Sequence, residues 1–248
     1  MKPEPALTEV SPPRRIAIVG AMREELHALM PLLKDHRSER IAGREFHLGT
    51  IHGRPVVLAL SGIGKVAAAS TAVLLIHAFD AQCLVFTGVA GGLGEEVEVG
   101  DVVVARQLLQ HDMDASPLFP RFEVPLTGRA RFEADTSIAD GLVAAAAAVA
   151  SHRPGARLHQ GLLVSGDRFV ASRSESDALR VLLPDALAVE MEGAAIAQVC
   201  TDFSRPFGVV RTISDRADDT AHVDFSRFIE EIASPTTRAI VGDWLARG

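Results

Sequence analysis

The chain has 248 residues, 48% hydrophobic, 5% aromatic and 23% charged, with 25 Lys and Arg against 32 Asp and Glu for a formal net charge of −7. That apolar fraction can build a sizeable core and excludes a disordered chain, while the acidic balance excludes the clustered basic surface that non-specific nucleic-acid binding needs. Cys83 and Cys200 lie far apart and outside any CxxC, so neither a disulfide framework nor a zinc knuckle is expected, only two small buried hydrophobes.

Residues 1–14 hold four prolines and no apolar segment of a secretory signal, so they read as a flexible tail and the location as cytoplasmic. Residues 15–248 read as one domain, without repeat or linker. Strand IAIV (16–19) precedes a helical pattern with Leu26, Leu29, Met30 and Leu33. EFHLGTI and PVVLAL form a hairpin about His52–Gly53, and an Ala-rich helix runs from Lys65 to about Ala78. CLVFTG (83–88) is a buried strand opening into the glycine loop GVAGGLG, and DVVVARQLL (101–109) is the next strand.

Residues 111–133, with Pro117, Pro120 and Pro125, form a long loop of the kind that is usually functional or interfacial. A helix over 137–151, strand LLVSG, a helix about 175–183, strand ALAVEM, helix GAAIAQVCTDF and strand PFGVVRTIS follow. A C-terminal helix carries Phe225, Phe228, Ile229 and Ile232 on one stripe. The longest apolar run of the chain, Leu142–Ala150, is about half the ~20 residues that cross a bilayer. Strands apolar on both faces belong between two helical layers, so the fold class is α/β: a single domain with a mixed, largely parallel twisted sheet flanked by helices on both sides.

The strand ends carry the chemistry. SGIGKVAAAS contains Gly-Lys but has Ala59 and Val66 where a P-loop needs glycine and a hydroxyl. His111, Asp112 and Asp114 form the one cluster that suggests a metal, and hydrogen bonding within a loop explains them as well; no metal or cofactor is expected. Glu24 and Glu25 follow the first strand, Asp167 and Phe169 a later one, Glu190 and Glu192 flank Met191, and Ser214-Asp215 ends VVRTISD. A lone carboxylate at a helix start is commonly a cap. Several at strand ends beside Gly91 of the glycine loop suggest a pocket for a polyhydroxylated ligand.

In this order, IVGAMREE, SGIGKVAAA, FTGVAGGL, VSGDRF, AVEMEGAAIAQVC and VVRTISD resemble the 5′-methylthioadenosine/S-adenosylhomocysteine nucleosidases of the nucleoside phosphorylase/hydrolase superfamily. The resemblance spans residue 15 to the C-terminal helix and implies hydrolysis of the N9–C1′ bond of an adenosine thioether. It implies Asp215 as general acid to adenine N7, oriented by Ser214, and Glu25 as the carboxylate that activates water. Glu192 would hold the ribose hydroxyls, with Met191 against the sugar. Phe169 would stack on adenine and the Val170 backbone would read its edge. Ile63, Phe225 and the 111–125 loop of a partner subunit would line the alkylthio pocket of a homodimer.

Val89 stands where the family often has Ser, and Arg168 where a small residue is common. The Glu24–Glu25 pair, where a phosphorylase would present cations and glycine amides, favours water over phosphate; Arg23 is the nearby cation. A phosphorylase, an aminofutalosine-type nucleosidase and a non-catalytic nucleoside-binding module are the alternatives.

Overall fold

The computed structural model describes residues 15–217 and 225–248, without the side chains of Phe225 and Ser226. The tail read over residues 1–14 lies outside it. In chain order the strands are β1 (Arg15–Gly20), β2 (Lys34–Ile41), β3 (Arg44–Ile51), β4 (Arg54–Leu60), β5 (Ala81–Gly92), β6 (Val102–Gln110), β7 (Arg131–Glu133), β8 (Leu158–Ser165), β9 (Ala186–Glu190) and β10 (Phe207–Asp215). The helices are α1 (Arg23–Leu29), α2 (Lys65–His77), α3 (Thr136–Ala150), α4 (Arg173–Leu182), α5 (Gly193–Asp202), α6 (Phe225–Phe228) and α7 (Ser234–Arg247).

All ten strands join one mixed sheet in the order β10-β6-β8-β9-β5-β1-β4-β3-β2, with β7 on β6. Successive apolar side chains point to opposite faces, as a period of two demands. Ala17, Val19, Val57, Ala59, Leu84 and Phe86 enter one core, under α2 and α5. Ile16, Ile18, Val56, Leu58 and Val85 enter another, with residues of α1, α3 and α7. This is the expected sheet between two helical layers.

The sheet also closes on itself. β5 pairs in parallel with β10, so β5, β10, β6, β8 and β9 form a ring. β9 meets β5 antiparallel over only Gly91↔Val189 and Gly92↔Ala188. The C-terminal tips of strands from two halves of the ring therefore overlap at one place, where ligands of α/β sheets bind.

Several elements differ from the sequence reading. LysAspHisArg and its continuation to Ile41 form β2, an exposed edge strand whose charges carry no apolar period and suit an unpaired edge. The first helix ends at Leu29, and Pro31 turns the chain through a short 3₁₀ segment. Residues 131–133 of the long loop are β7. The C-terminal helix is interrupted by a π turn over Ile229–Ala233 before α7. Pro235 has no N–H to give Glu231, which breaks the i→i−4 ladder there. Cys200 is buried as expected, with its thiol pushed up by burial, but Cys83 is only half-buried.

Candidate active site

The expected glycine loop is instead the second half of β5, which runs on to Gly92 beside β10. Its glycines clear room for side chains. A Cβ on Gly88, whose φ is +147°, would lie 2.5 Å from Glu25 Oε1 and 2.9 Å from Arg211 Nη1. A Cβ on Gly91 would lie 2.9 Å from Asp215 Oδ1. Two carboxylates and a guanidinium thus rest directly against backbone. Gly88→Ala is expected to push Glu25 and Arg211 aside and to force a strained φ, at a cost of about 1–3 kcal/mol. Thermal unfolding should show the stability loss and a steady-state assay a larger loss of turnover.

Glu25 is 1% exposed. Its Oε2 accepts from Ala21 N–H (2.8 Å) and Met22 N–H (3.0 Å), and its Oε1 accepts from Val89 N–H (3.2 Å). One oxygen therefore caps α1, while the carboxyl group also lines the pocket. The Val89 contact is through backbone, so it does not depend on the residue type there. Burial raises the Glu25 pKa, opposed first by the charge of Arg211 and then by the three N–H donors. Of the sequence pair, only Glu25 enters this pocket; Glu24 lines a separate groove beside α7.

The Glu-x-Glu strand end divides its work. Glu190, at the tip of β9, accepts from the N–H groups of Glu192 (3.2 Å) and Gly193 (2.9 Å), from Ser165 Oγ, and from Arg211 Nη2 (2.6 Å). It thereby caps α5 and leaves the carboxylate of Glu192 to face the pocket. There Glu192 Oε1 accepts from Gly64 N–H at 2.7 Å, which ties the SGIGK loop to it. Burial, and next the charge of Glu190, push Glu192 up to about 7.

Arg211 was not singled out from the sequence. It is 1% exposed, pairs with Glu190 and stacks on Phe86 at 3.7 Å. Its Nε and Nη1 have no hydrogen-bond partner, so two donors remain at a wall of the pocket. The signal was present in PFGVVRTIS. A charge in a strand buried on both faces requires a partner.

Asp215 ends β10. Its Oδ2 accepts from Ser214 Oγ (2.7 Å) and its Oδ1 from Ala217 N–H (2.8 Å), contacts that fix its orientation. The pocket brings together Glu25, Ile63, Gly91, Phe169, Val170, Met191, Glu192, Ser214 and Asp215, and adds Arg211 and Glu190. Of the residues named from the sequence, the Phe225 side chain alone lies outside the described residues. Phe169 stands 49% exposed at the pocket edge, a conformation that suits a flat ligand laid against it. Arg168 is held to Glu175 by an ion pair. Asp112 accepts from Lys65 Nζ (2.6 Å) and Asp167 N–H (2.9 Å), and Asp114 accepts from Ser116 N–H (3.0 Å), while His111 Nε2 has no hydrogen-bond partner among the described residues. Among the described residues no group of three His, Cys, Asp or Glu is arranged to hold a metal.

The sequence pattern of the phosphorylase superfamily matches residues 15–246 of this chain. The 5′-methylthioadenosine/S-adenosylhomocysteine nucleosidase of Lysinibacillus sphaericus is 37% identical over 228 residues, 92% of this chain and 97% of that protein. The Neisseria meningitidis nucleosidase of the same description, solved with methylthio-immucillin-A, superposes with a TM-score of 0.87 at 36% identity, covering 95% of this chain and 100% of that one. A Helicobacter pylori structure described as a futalosine hydrolase mutant gives 0.86 at 34% identity, covering 95% and 100%. The chain belongs to the 5′-methylthioadenosine/S-adenosylhomocysteine nucleosidase family and is an N-glycosidic hydrolase.

Proposed function

We propose that the protein hydrolyses 5′-methylthioadenosine and S-adenosylhomocysteine to adenine and the thioribose, with Asp215 protonating adenine N7 and Glu25 activating water. The observation that carries this reading is the convergence of Glu25, Glu192 and Asp215 on one pocket. Cleavage of an N-glycosidic bond builds positive charge on the ribose and negative charge on the departing base. The base needs a proton, and Asp215 is held by Ser214 for that task. The sugar needs nearby anions, and Glu192 supplies one while accepting from the ribose hydroxyls. Met191 packs on the sugar, and Phe169 and Val170 receive the adenine. Ile63 lines the thioether end.

Water rather than phosphate is the nucleophile in this reading. Among the described residues Arg211 is the one buried cation of the pocket, already paired with Glu190; with Arg168 at the lining against Glu25, Glu190, Glu192 and Asp215, a phosphate dianion would enter against an excess of carboxylates. A carboxylate raised by burial is suited to take a proton near neutral pH. Residues 15–248 act as one nucleosidase domain.

Exposed Ile63 (65%), Val66 (79%) and Leu118 (83%) favour a homodimer in which the 111–125 loop reaches the partner's pocket. Among the described residues no helix is long and apolar enough to cross a membrane; a cytoplasmic location is part of the proposal. The likeness to a futalosine hydrolase keeps an aminofutalosine-type substrate as the second reading. Incubation with methylthioadenosine, S-adenosylhomocysteine and aminofutalosine, followed by analysis of the released base, is expected to give adenine from the two thioethers. Turnover of aminofutalosine alone would install the second reading.

A further inference from the structure

A second cavity adjoins the pocket. Its walls include Arg23 at the start of α1, Arg40 on β2 and Arg44, Glu45 and His47 on β3, with Ser61 and Gly62 at its inner edge. The two cavities touch through chain neighbours: Met22 and Ile63 line the pocket, while Arg23 and Gly62 line the cleft. Met22 and Ile63 therefore stand between them.

The cleft is a concentration of positive charge on a chain of net charge −7. Arg106, Arg131, Arg180 and Arg216 pair with carboxylates elsewhere on the surface. Arg23, Arg40 and Arg44 form no ion pair among the described residues. Arg44 is anchored by Nε on Thr71 Oγ1 (2.9 Å) and Nη1 on Ala42 O (3.3 Å), which holds its guanidinium in place without neutralising it. Glu45 sits across the ladder from Arg40. His27 also lines the cleft, and burial lowers the pKa of His47, which leaves the arginines as its principal cations.

Three arginines and one glutamate at one mouth match a zwitterion. We propose that this cleft binds an α-amino carboxylate at the far end of a 5′-thioether substituent, the arginines taking the carboxylate and Glu45 the ammonium. Guanidinium groups are suited to carboxylates because their forked donors match the two oxygens. A methylthio group ends at Met22 and Ile63, whereas a homocysteinyl chain continues past them. The cleft therefore sets the relative use of the two thioethers. The proposal rests on the nucleosidase reading and concerns only its substrate preference.

The test compares kcat/KM for S-adenosylhomocysteine, for methylthioadenosine and for the aminopropyl thioether of adenosine, which keeps the ammonium and lacks the carboxylate. Arg40 is exposed and its side chain forms no ion pair or hydrogen bond among the described residues, so Arg40→Glu should fold normally. It is expected to raise KM for S-adenosylhomocysteine about tenfold, the usual scale for a charge-assisted contact, with methylthioadenosine unchanged and the KM of the cationic aminopropyl thioether unchanged or lowered. Arg44→Gln should act in the same direction, more weakly. An equal change on all three substrates, or none on S-adenosylhomocysteine, would overturn the proposal. If the wild-type enzyme releases adenine from none of them, it is the nucleosidase reading that fails.

Discussion

Asp215→Asn is expected to lower kcat for adenine release by about 10²–10⁴-fold, the range for loss of a general acid. Adenine leaves poorly as an anion, and the amide of Asn can donate a hydrogen bond to N7 but cannot transfer a proton. Asn is nearly isosteric with Asp, and its oxygen can still accept from Ser214 Oγ or from Ala217 N–H. The fold and the affinity for adenine should change little. Calorimetric binding of adenine and a thermal melt separate loss of chemistry from loss of structure. Turnover within threefold of wild type would remove Asp215 from the mechanism.

Glu25→Gln is expected to lower kcat by about 10²-fold, roughly 2.7 kcal/mol of transition-state stabilisation. The carboxylate is buried and accepts from three N–H groups across its two oxygens. An amide has one acceptor oxygen, so its NH₂ would face an N–H donor and cost about 1–3 kcal/mol of stability. The pH profile discriminates between the two effects. Burial raises the Glu25 pKa, so wild-type kcat should fall as pH falls through that raised value and the base becomes protonated. In Glu25→Gln that limb of kcat disappears.

Glu192, pushed up to about 7, should leave its own fall in kcat/KM below that pH in both enzymes. A Glu25→Gln enzyme with full kcat would show that water is activated elsewhere.

How much of this was legible depends on whether the signal is local. The His52–Gly53 hairpin was readable because both residues take positive φ, the signature of a tight two-residue turn. The apolar strands were readable because both faces are buried. β2 was not, since an exposed edge strand of charged residues has no period to detect. Ring closure between β5 and β10 was also hidden, because pairing partners are chosen by long-range packing rather than by local pattern.

In the site, the carboxylates stood out as charges at the ends of apolar runs. Their division of labour did not. That Glu190 caps α5 while Glu192 faces the pocket depends on Ser165 and Arg211, which come from other strands. The run GVAGG suggested a loop because glycine usually marks one. Here it marks a strand against which Glu25, Arg211 and Asp215 are pressed.

The central claim is that water, held at Glu25, replaces adenine at C1′. A single-turnover reaction with methylthioadenosine in ¹⁸O-labelled water, run with and without inorganic phosphate, tests it most directly. The predicted result is adenine and a thioribose carrying one ¹⁸O at C1, at the same rate in both buffers. Strict dependence on phosphate, with a sugar 1-phosphate as product, would contradict the account.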